Sequence, residues 1–195
     1  METIIYLIRH SEGLKNKIYV KTEDNLQIQN EKNPLSILGE EKAKKLSEKE
    51  IFQDIDVVIS SNYVRSISTA KYIAEKNNTV VNIIDDFKER KHGIDSWDEL
   101  PSNFEKRQME DEIYKVKNGE SRLEVQTRMY NALTNVINKY KGNKIVIVSH
   151  ATAITFLLMK YGHILNNDFE WNAPDVFQII FNNNEIKSIK HIGFN

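Results

Sequence analysis

The chain has 195 residues, 27 basic and 28 acidic side chains, and a formal net charge of -1. That balance argues against a general binder of nucleic acid or anionic membrane, and the length suits one domain with a substantial core. The absence of cysteine excludes disulfides, thiolate metal ligation and a cysteine nucleophile. The opening Met1-Glu2-Thr3 lacks a basic segment, and no apolar run approaches the roughly 20 residues of a membrane span. A cytoplasmic protein with no membrane partner is the expectation.

Residues 3–9 read as a buried strand, its apolar run Ile4, Ile5, Tyr6, Leu7 and Ile8 ending in Arg9 and His10. Residues 36–50 read as a helix rich in Lys and Glu, and 56–60 as a second buried strand. Tyr63, Ile67, Ala70 and Ala74 then form one stripe of a helix, with Arg65 in its first turn. Exposed N–H groups and the macrodipole make such an end attractive to anions; a solvated arginine is the plain alternative. Residues 79–84 read as a strand, and 98–117 as a charged, irregularly periodic segment that would form a helical cap over a site.

Ser121 with Glu124 forms a capping box, which explains Ser121 structurally. It opens a helix whose Met129, Leu133, Val136, Ile137 and Tyr140 face the core, closed by Gly142. The apolar run 145–148 delivers Ser149 and His150, and a helix over 151–161 follows. Residues 176–181 read as a strand and Asn182–Asn184 as a turn, giving an antiparallel hairpin at the sheet edge even though Ile186, Ile189 and Ile192 do not alternate. Strands alternating with helices define an α/β domain with a mostly parallel sheet.

Two strands each ending in histidine suggest one shared site at the carboxyl ends, where open α/β sheets place ligands. If the two strands are neighbours, their spacing near 5 Å brings both imidazoles to one small ligand. A lone histidine after a strand is usually structural; the pair beside an arginine is not so easily dismissed. Phosphoryl transfer wants such a set, because guanidinium groups bind non-bridging oxygens through directional hydrogen bonds. An unprotonated imidazole nitrogen can then attack phosphorus covalently.

Arg9, His10, Ser11 and Glu12 resemble the Arg-His-Gly-Glu signature of the histidine phosphatase superfamily, the phosphoglycerate mutase-like fold, and the likeness runs over nearly the whole chain. Pro34 to Gly39, Ser60 to Ala70, Phe87 to Gly93, Gly119 to Ser121 with Arg128, and Val148 to Ala151 resemble its further motifs in order. Ser11 and Ala151 stand where the family usually has glycine, and Asn62 where it has proline; Ser11 adds bulk or a hydroxyl ligand beside the phosphate.

The resemblance implies a three-layer α/β/α sandwich over residues 1–195, with the cap at about 98–118. It implies His10 as nucleophile, Glu89 as proton donor, and Arg9, Asn16, Arg65 and His150 as phosphate ligands. A salt bridge with Lys88, Arg90 or Lys91 is the structural alternative for Glu89. His92, His163 and His191 read as surface or packing residues, and Asp85 with Asp86 as a solvated pair, so no metal and no cofactor is expected.

The implied function is metal-independent hydrolysis of a small phosphorylated metabolite through phosphohistidine. Two alternatives stay open. A phosphoglycerate mutase is disfavoured because the chain lacks an extra internal segment and a long C-terminal tail. The other is a catalytically weak phosphate sensor or interaction module.

Overall fold

A computed structural model describes residues 1–15, 25–166 and 168–194. A six-stranded sheet carries the molecule: β1 (Glu2–Arg9), β2 (Val57–Ser60), β3 (Val81–Ile83), β4 (Lys144–Ser149), β5 (Asp175–Asn182) and β6 (Glu185–His191), in the order β3-β2-β4-β1-β5-β6. The first four positions in that order are parallel, and β5 and β6 add antiparallel at one edge. Among the described residues six α-helices join them: α1 (Leu26–Lys32), α2 (Ile37–Ser47), α3 (Val64–Lys76), α4 (Phe104–Glu110), α5 (Arg122–Lys139) and α6 (Ala151–Lys160).

Strand alternation sorts the core into two layers. Ile5, Leu7, Ile145, Ile147, Phe177 and Ile179 meet α5 and α6 through Met129, Leu133, Val136, Ile154 and Leu157. Tyr6, Ile8, Val58, Val146, Val148 and Val176 meet α2 and α3 through Leu46, Ala70 and Ile73, with Phe52 filling in beside them. Both faces of the central strands are therefore buried, which is why those strands read as unbroken apolar runs. Each fully buried Ile or Leu contributes about 1.5–3 kcal/mol.

The site-bearing strands are neighbours. In the β1–β4 register Arg9 pairs with Ser149, and the His10 N–H donates to the Ser149 carbonyl at 2.9 Å, carrying the ladder one residue further. β2 flanks β4 on its other side, and the Ser61 N–H donates to Val148 O at 3.0 Å. Three strand ends thus deliver residues 10, 61 and 150 to one edge of the sheet, and α3 starts directly beyond the β2 end.

Several elements differ from the sequence reading. α1 was not foreseen: Asn25 caps it through Ile28 N, but it buries no residue, so it leaves no apolar stripe to detect. α2 ends at Ser47, and a separate 3₁₀ turn spans Glu50–Phe52. Within 98–117 only α4 is α-helical; Phe104 is buried while Met109 and Ile113 are exposed, so the irregular periodicity records turns. In the β5–β6 hairpin, Asn183 and Asn184 both take positive φ, as a type I′ turn requires. A bulge between Ile180 and Phe181 shifts the register, which puts Ile186 and Ile189 opposite Phe181 and Ile179 and explains their broken alternation.

The first turn of α2 presses against the chain that leaves β1. Ser36 caps it by accepting from Gly39 N at 2.9 Å, and a Cβ on Gly39 would lie 2.0 Å from the Glu12 carbonyl oxygen. Gly→Ala in a helix ordinarily stabilises by about 1 kcal/mol. Here the overlap is with backbone, and Gly39→Ala is expected to destabilise by about 2–3 kcal/mol. Urea unfolding checks the sign: a variant more stable than the parent would show that the two segments do not press together as described.

Candidate active site

Arg65 is the hub. It lies in the first turn of α3, whose N-cap Tyr63 supplies no side-chain cap. Its Nε donates to His10 Nε2 at 2.9 Å, its Nη2 to His150 Nδ1 at 3.2 Å, and its Nη1 to the Asn30 carbonyl of α1. The His10 and His150 rings meet edge to face at 5.0 Å, and Tyr63 packs edge-on against His150 at 4.7 Å.

These partners assign the protons. His10 Nδ1 lies 2.7 Å from the Ser11 carbonyl, which can only accept, so Nδ1 carries the hydrogen and Nε2 keeps a lone pair. His150 accepts at Nδ1 from Arg65 and donates from Nε2 toward Ser61 Oγ at 2.9 Å, with Ser66 Oγ at 3.2 Å. Both rings are held well below the usual histidine range, by burial first and by the Arg65 charge second. The pair is neutral in the resting site, and the Ser11 carbonyl sets the His10 tautomer.

Arg9 approaches from the β1 end. Its Nη1 donates to the carbonyls of Trp171 and Asn172 at 3.0 and 2.9 Å, while its buried Nε has no hydrogen-bond partner among the described residues. The charge of Arg9 reaches both imidazoles, and Glu89 in turn acts on Arg9. Asn16, the remaining phosphate ligand expected from sequence, lies outside the described residues.

Glu89 sits at the N-terminus of α6. Its Oε1 accepts from Arg90 N at 2.8 Å and from Ala153 N at 3.1 Å, and its Oε2 accepts from Thr152 N at 3.4 Å. Among the described residues no ion pair ties it to Lys88, Arg90 or Lys91; the buried Arg90 instead forms a fork with Glu105 of α4 at 2.7 and 2.9 Å. The anion-friendly end of α6 is therefore occupied by the protein's own carboxylate. His150, its N-cap, makes no side-chain cap bond.

The Glu89 segment is clamped by a pair to which sequence reading gave no role. Arg128 of α5 bonds Glu120 through Nε at 2.7 Å and Nη2 at 3.0 Å, and donates to the carbonyls of Asp86, Lys88 and Glu89. Glu120 also accepts from Lys91 N at 2.9 Å. One bidentate pair thus fixes the backbone on both sides of Glu89. The two residues lie eight apart, beyond helical i,i+4 spacing, so their order in a motif was the only signal.

Ser11 is fully buried, and its hydroxyl does not face the imidazoles. Oγ donates to Gly39 O at 2.7 Å and its N–H donates to Thr69 Oγ1 at 2.9 Å, while its carbonyl takes the His10 proton. The extra hydroxyl ties β1 to α2 rather than serving as a ligand. Among the described residues no group of three or more His, Asp or Glu is placed to hold a metal, and no helix is long and apolar enough to cross a membrane.

An α/β/α sandwich with two neutral imidazoles and two guanidinium groups at its parallel strand ends is a phosphoglycerate mutase-like framework. The model of the histidine phosphatase superfamily, branch 1, matches residues 5–182, and the chain belongs to that superfamily. It is 30% identical over 159 residues to the uncharacterized phosphatase PhoE of Bacillus subtilis, covering 80% of this chain and 76% of that one. It is 29% identical over 162 residues to the probable phosphoglycerate mutase GpmB of Escherichia fergusonii, covering 79% and 72%.

Among solved structures, a mycobacterial glucosyl-3-phosphoglycerate phosphatase superposes with a TM-score of 0.74 at 16% identity, over 100% of this chain and 99% of that one. The Entamoeba histolytica phosphoserine phosphatase in complex with 3-phosphoglyceric acid also gives 0.74, at 22% identity and over 96% of each chain. These likenesses fix the fold.

Buried neutral histidines make folding sensitive to acid. Each would bind a proton in the unfolded chain near pH 6.5 but resists one when folded, so their contribution is intact above that pH and is lost as pH falls through and below it. Carboxylates with depressed values, such as Glu120, act lower, below about 4.5. Urea unfolding at stepped pH is expected to show stability falling from about pH 6.5 downward, with a shallower fall in His150→Gln. An unchanged slope in that variant would contradict the buried neutral assignment.

Proposed function

We propose that this protein is a phosphomonoesterase that hydrolyses a small phosphorylated metabolite through a phosphohistidine on His10. The observation that carries the reading is the tie from His10 Nδ1 to the Ser11 carbonyl, which leaves Nε2 as a lone pair facing a guanidinium. Arg65 Nε holds that lone pair in the resting site. An arriving phosphoryl dianion offers Arg65 stronger acceptors, which frees Nε2 to attack.

In this mechanism Arg9 and Arg65 bind the non-bridging oxygens, with Asn16 as a further neutral donor; His150 joins them once Arg65 turns to the ligand, by carrying its proton on Nδ1 while Ser61 Oγ donates to Nε2. Donors fixed in advance where charge develops are usually the largest contribution, with about 3–4 kcal/mol lost per donor removed. His10 Nε2 bonds to phosphorus as the ester P–O bond breaks, and Glu89, which takes up a solvent proton when the phosphoryl charge arrives beside it, delivers that proton to the departing alkoxide. Glu89, now a carboxylate, takes a proton from the water that attacks phosphohistidine, releasing inorganic phosphate and regenerating the ring. Neither step uses a metal.

The part of the substrate beyond the phosphate is assigned to a cavity whose wall reaches the imidazoles through Gln27 and Tyr63. α1 and the segment after Glu89 border a cavity of about 360 Å³ lined by Asn25, Gln27, Lys91, Asp95 and Asn118. Gln27 Nε2 also donates to the Tyr63 hydroxyl at 2.8 Å, linking that cavity wall to the ring that packs on His150. Amides and opposite charges suit a small, polar leaving group, in keeping with a metabolite and with the phosphoserine and phosphoglycerate named for the solved relatives.

A generic aryl phosphate assayed with EDTA is expected to be hydrolysed by the parent and not by His10→Ala. Glu89→Gln is expected to slow esters with poor leaving groups by about a hundredfold to ten-thousandfold, and activated esters far less. Isomerisation of 3-phosphoglycerate in the presence of bisphosphoglycerate would instead identify a mutase, and inactivity on both would favour a phosphate sensor. Equal slowing of all esters by Glu89→Gln would argue against its acid role.

A further inference from the structure

We infer that Asp175, with His191 behind it, is a positioning residue that sets Arg9 for phosphate binding; the inference rests on the cradle reading above. Asp175 is fully buried at the start of β5, and in the β1–β5 register it stands opposite Arg9. A buried carboxylate directly across from a half-buried arginine would ordinarily close an ion pair. None joins the two among the described residues.

Its oxygens are spent elsewhere. Oδ2 accepts from Asn172 N at 3.1 Å, and Oδ1 accepts from Val176 N at 3.0 Å and from His191 Nε2 at 2.7 Å. The Asn172 peptide held in this way, together with Trp171, is the acceptor for Arg9 Nη1. His191 is itself seated, its ring 4.8 Å from Phe177 and 5.0 Å from Phe169. The path runs from His191 to the Asp175 carboxylate, to the 171–172 backbone, to Arg9.

The arrangement has a chemical purpose. Carbonyl acceptors orient a guanidinium without cancelling its charge, whereas a carboxylate in direct contact would compete with the phosphoryl oxygens for the same N–H groups. Burial lowers the Arg9 pKa, and the charges of Glu89 and then of Asp175, one step back from contact, oppose that shift while leaving the N–H groups to the ligand. Asparagine cannot replace this aspartate, because one of its two terminal atoms is an NH₂ that would face an N–H donor on either side.

The test is a double-mutant cycle read by the inhibition constant of inorganic phosphate and by kcat/KM, with thermal unfolding measured in parallel. Asp175→Asn is expected to weaken phosphate binding about tenfold in the parent and less than twofold in Arg9→Ala. His191→Phe keeps the aromatic packing and removes only the donor; it is expected to weaken phosphate binding about threefold, again only when Arg9 is present. It also decides the matter if Asp175→Asn does not fold.

A loss of equal size in the Arg9→Ala background would overturn the inference, because a merely structural role would be felt there too. Unchanged phosphate affinity in Asp175→Asn and His191→Phe, with Arg9→Ala still impaired, would overturn it while leaving the cradle reading intact. Unchanged affinity in Arg9→Ala would remove Arg9 from that reading and this inference with it.

Discussion

The hydrogen bond from Arg65 Nε to His10 Nε2 is the contact on which the rest of the site depends. It requires a neutral imidazole with its proton on Nδ1, and the Ser11 carbonyl enforces that tautomer. It also requires a cation delivered by the first turn of α3, at the end of the strand beside β4. Burial and the Arg65 charge then act in the same direction, each disfavouring a protonated ring. A histidine kept neutral in this way retains a lone pair, which is what the proposed attack on phosphorus demands.

Around this contact the protein fixes backbone where the functional groups attach. The Ser11 peptide is held by Thr69 and Gly39. The segment bearing Glu89 is held by Arg128 and Glu120, and the 171–172 peptides that seat Arg9 are held by Asp175. In each case a buried or partly buried polar side chain bonds backbone groups of the segment that carries the functional residue. Positional errors of an ångström are costly to catalysis, so under the proposed mechanism these polar contacts serve to hold the reacting groups in register.

Much of this was legible in the sequence. Unbroken apolar runs ending in Arg9-His10 and Ser149-His150 revealed two strands buried on both faces, and motif order placed Arg65 and Glu89 with them. Elements lacking an apolar stripe were not legible: α1 buries nothing, and the turns within 98–117 scatter their apolar residues. Nor were contacts between residues distant in the chain, since Arg128 with Glu120 reaching over Glu89, or Asp175 beneath Arg9, leaves no local periodicity. Ser11 looked like a possible ligand from its position, whereas its rotamer, decided by the nearby Gly39 carbonyl, turns the hydroxyl away.

The central claim, a neutral His10 with its lone pair on Nε2, is tested most directly by ¹⁵N NMR of the imidazoles across a pH titration of the unliganded protein. A protonated Nδ1 and an unprotonated Nε2 that persist well below pH 6.5 are the expected result. A His10 ring that titrates near pH 6.5, or that carries its proton on Nε2, would contradict the account.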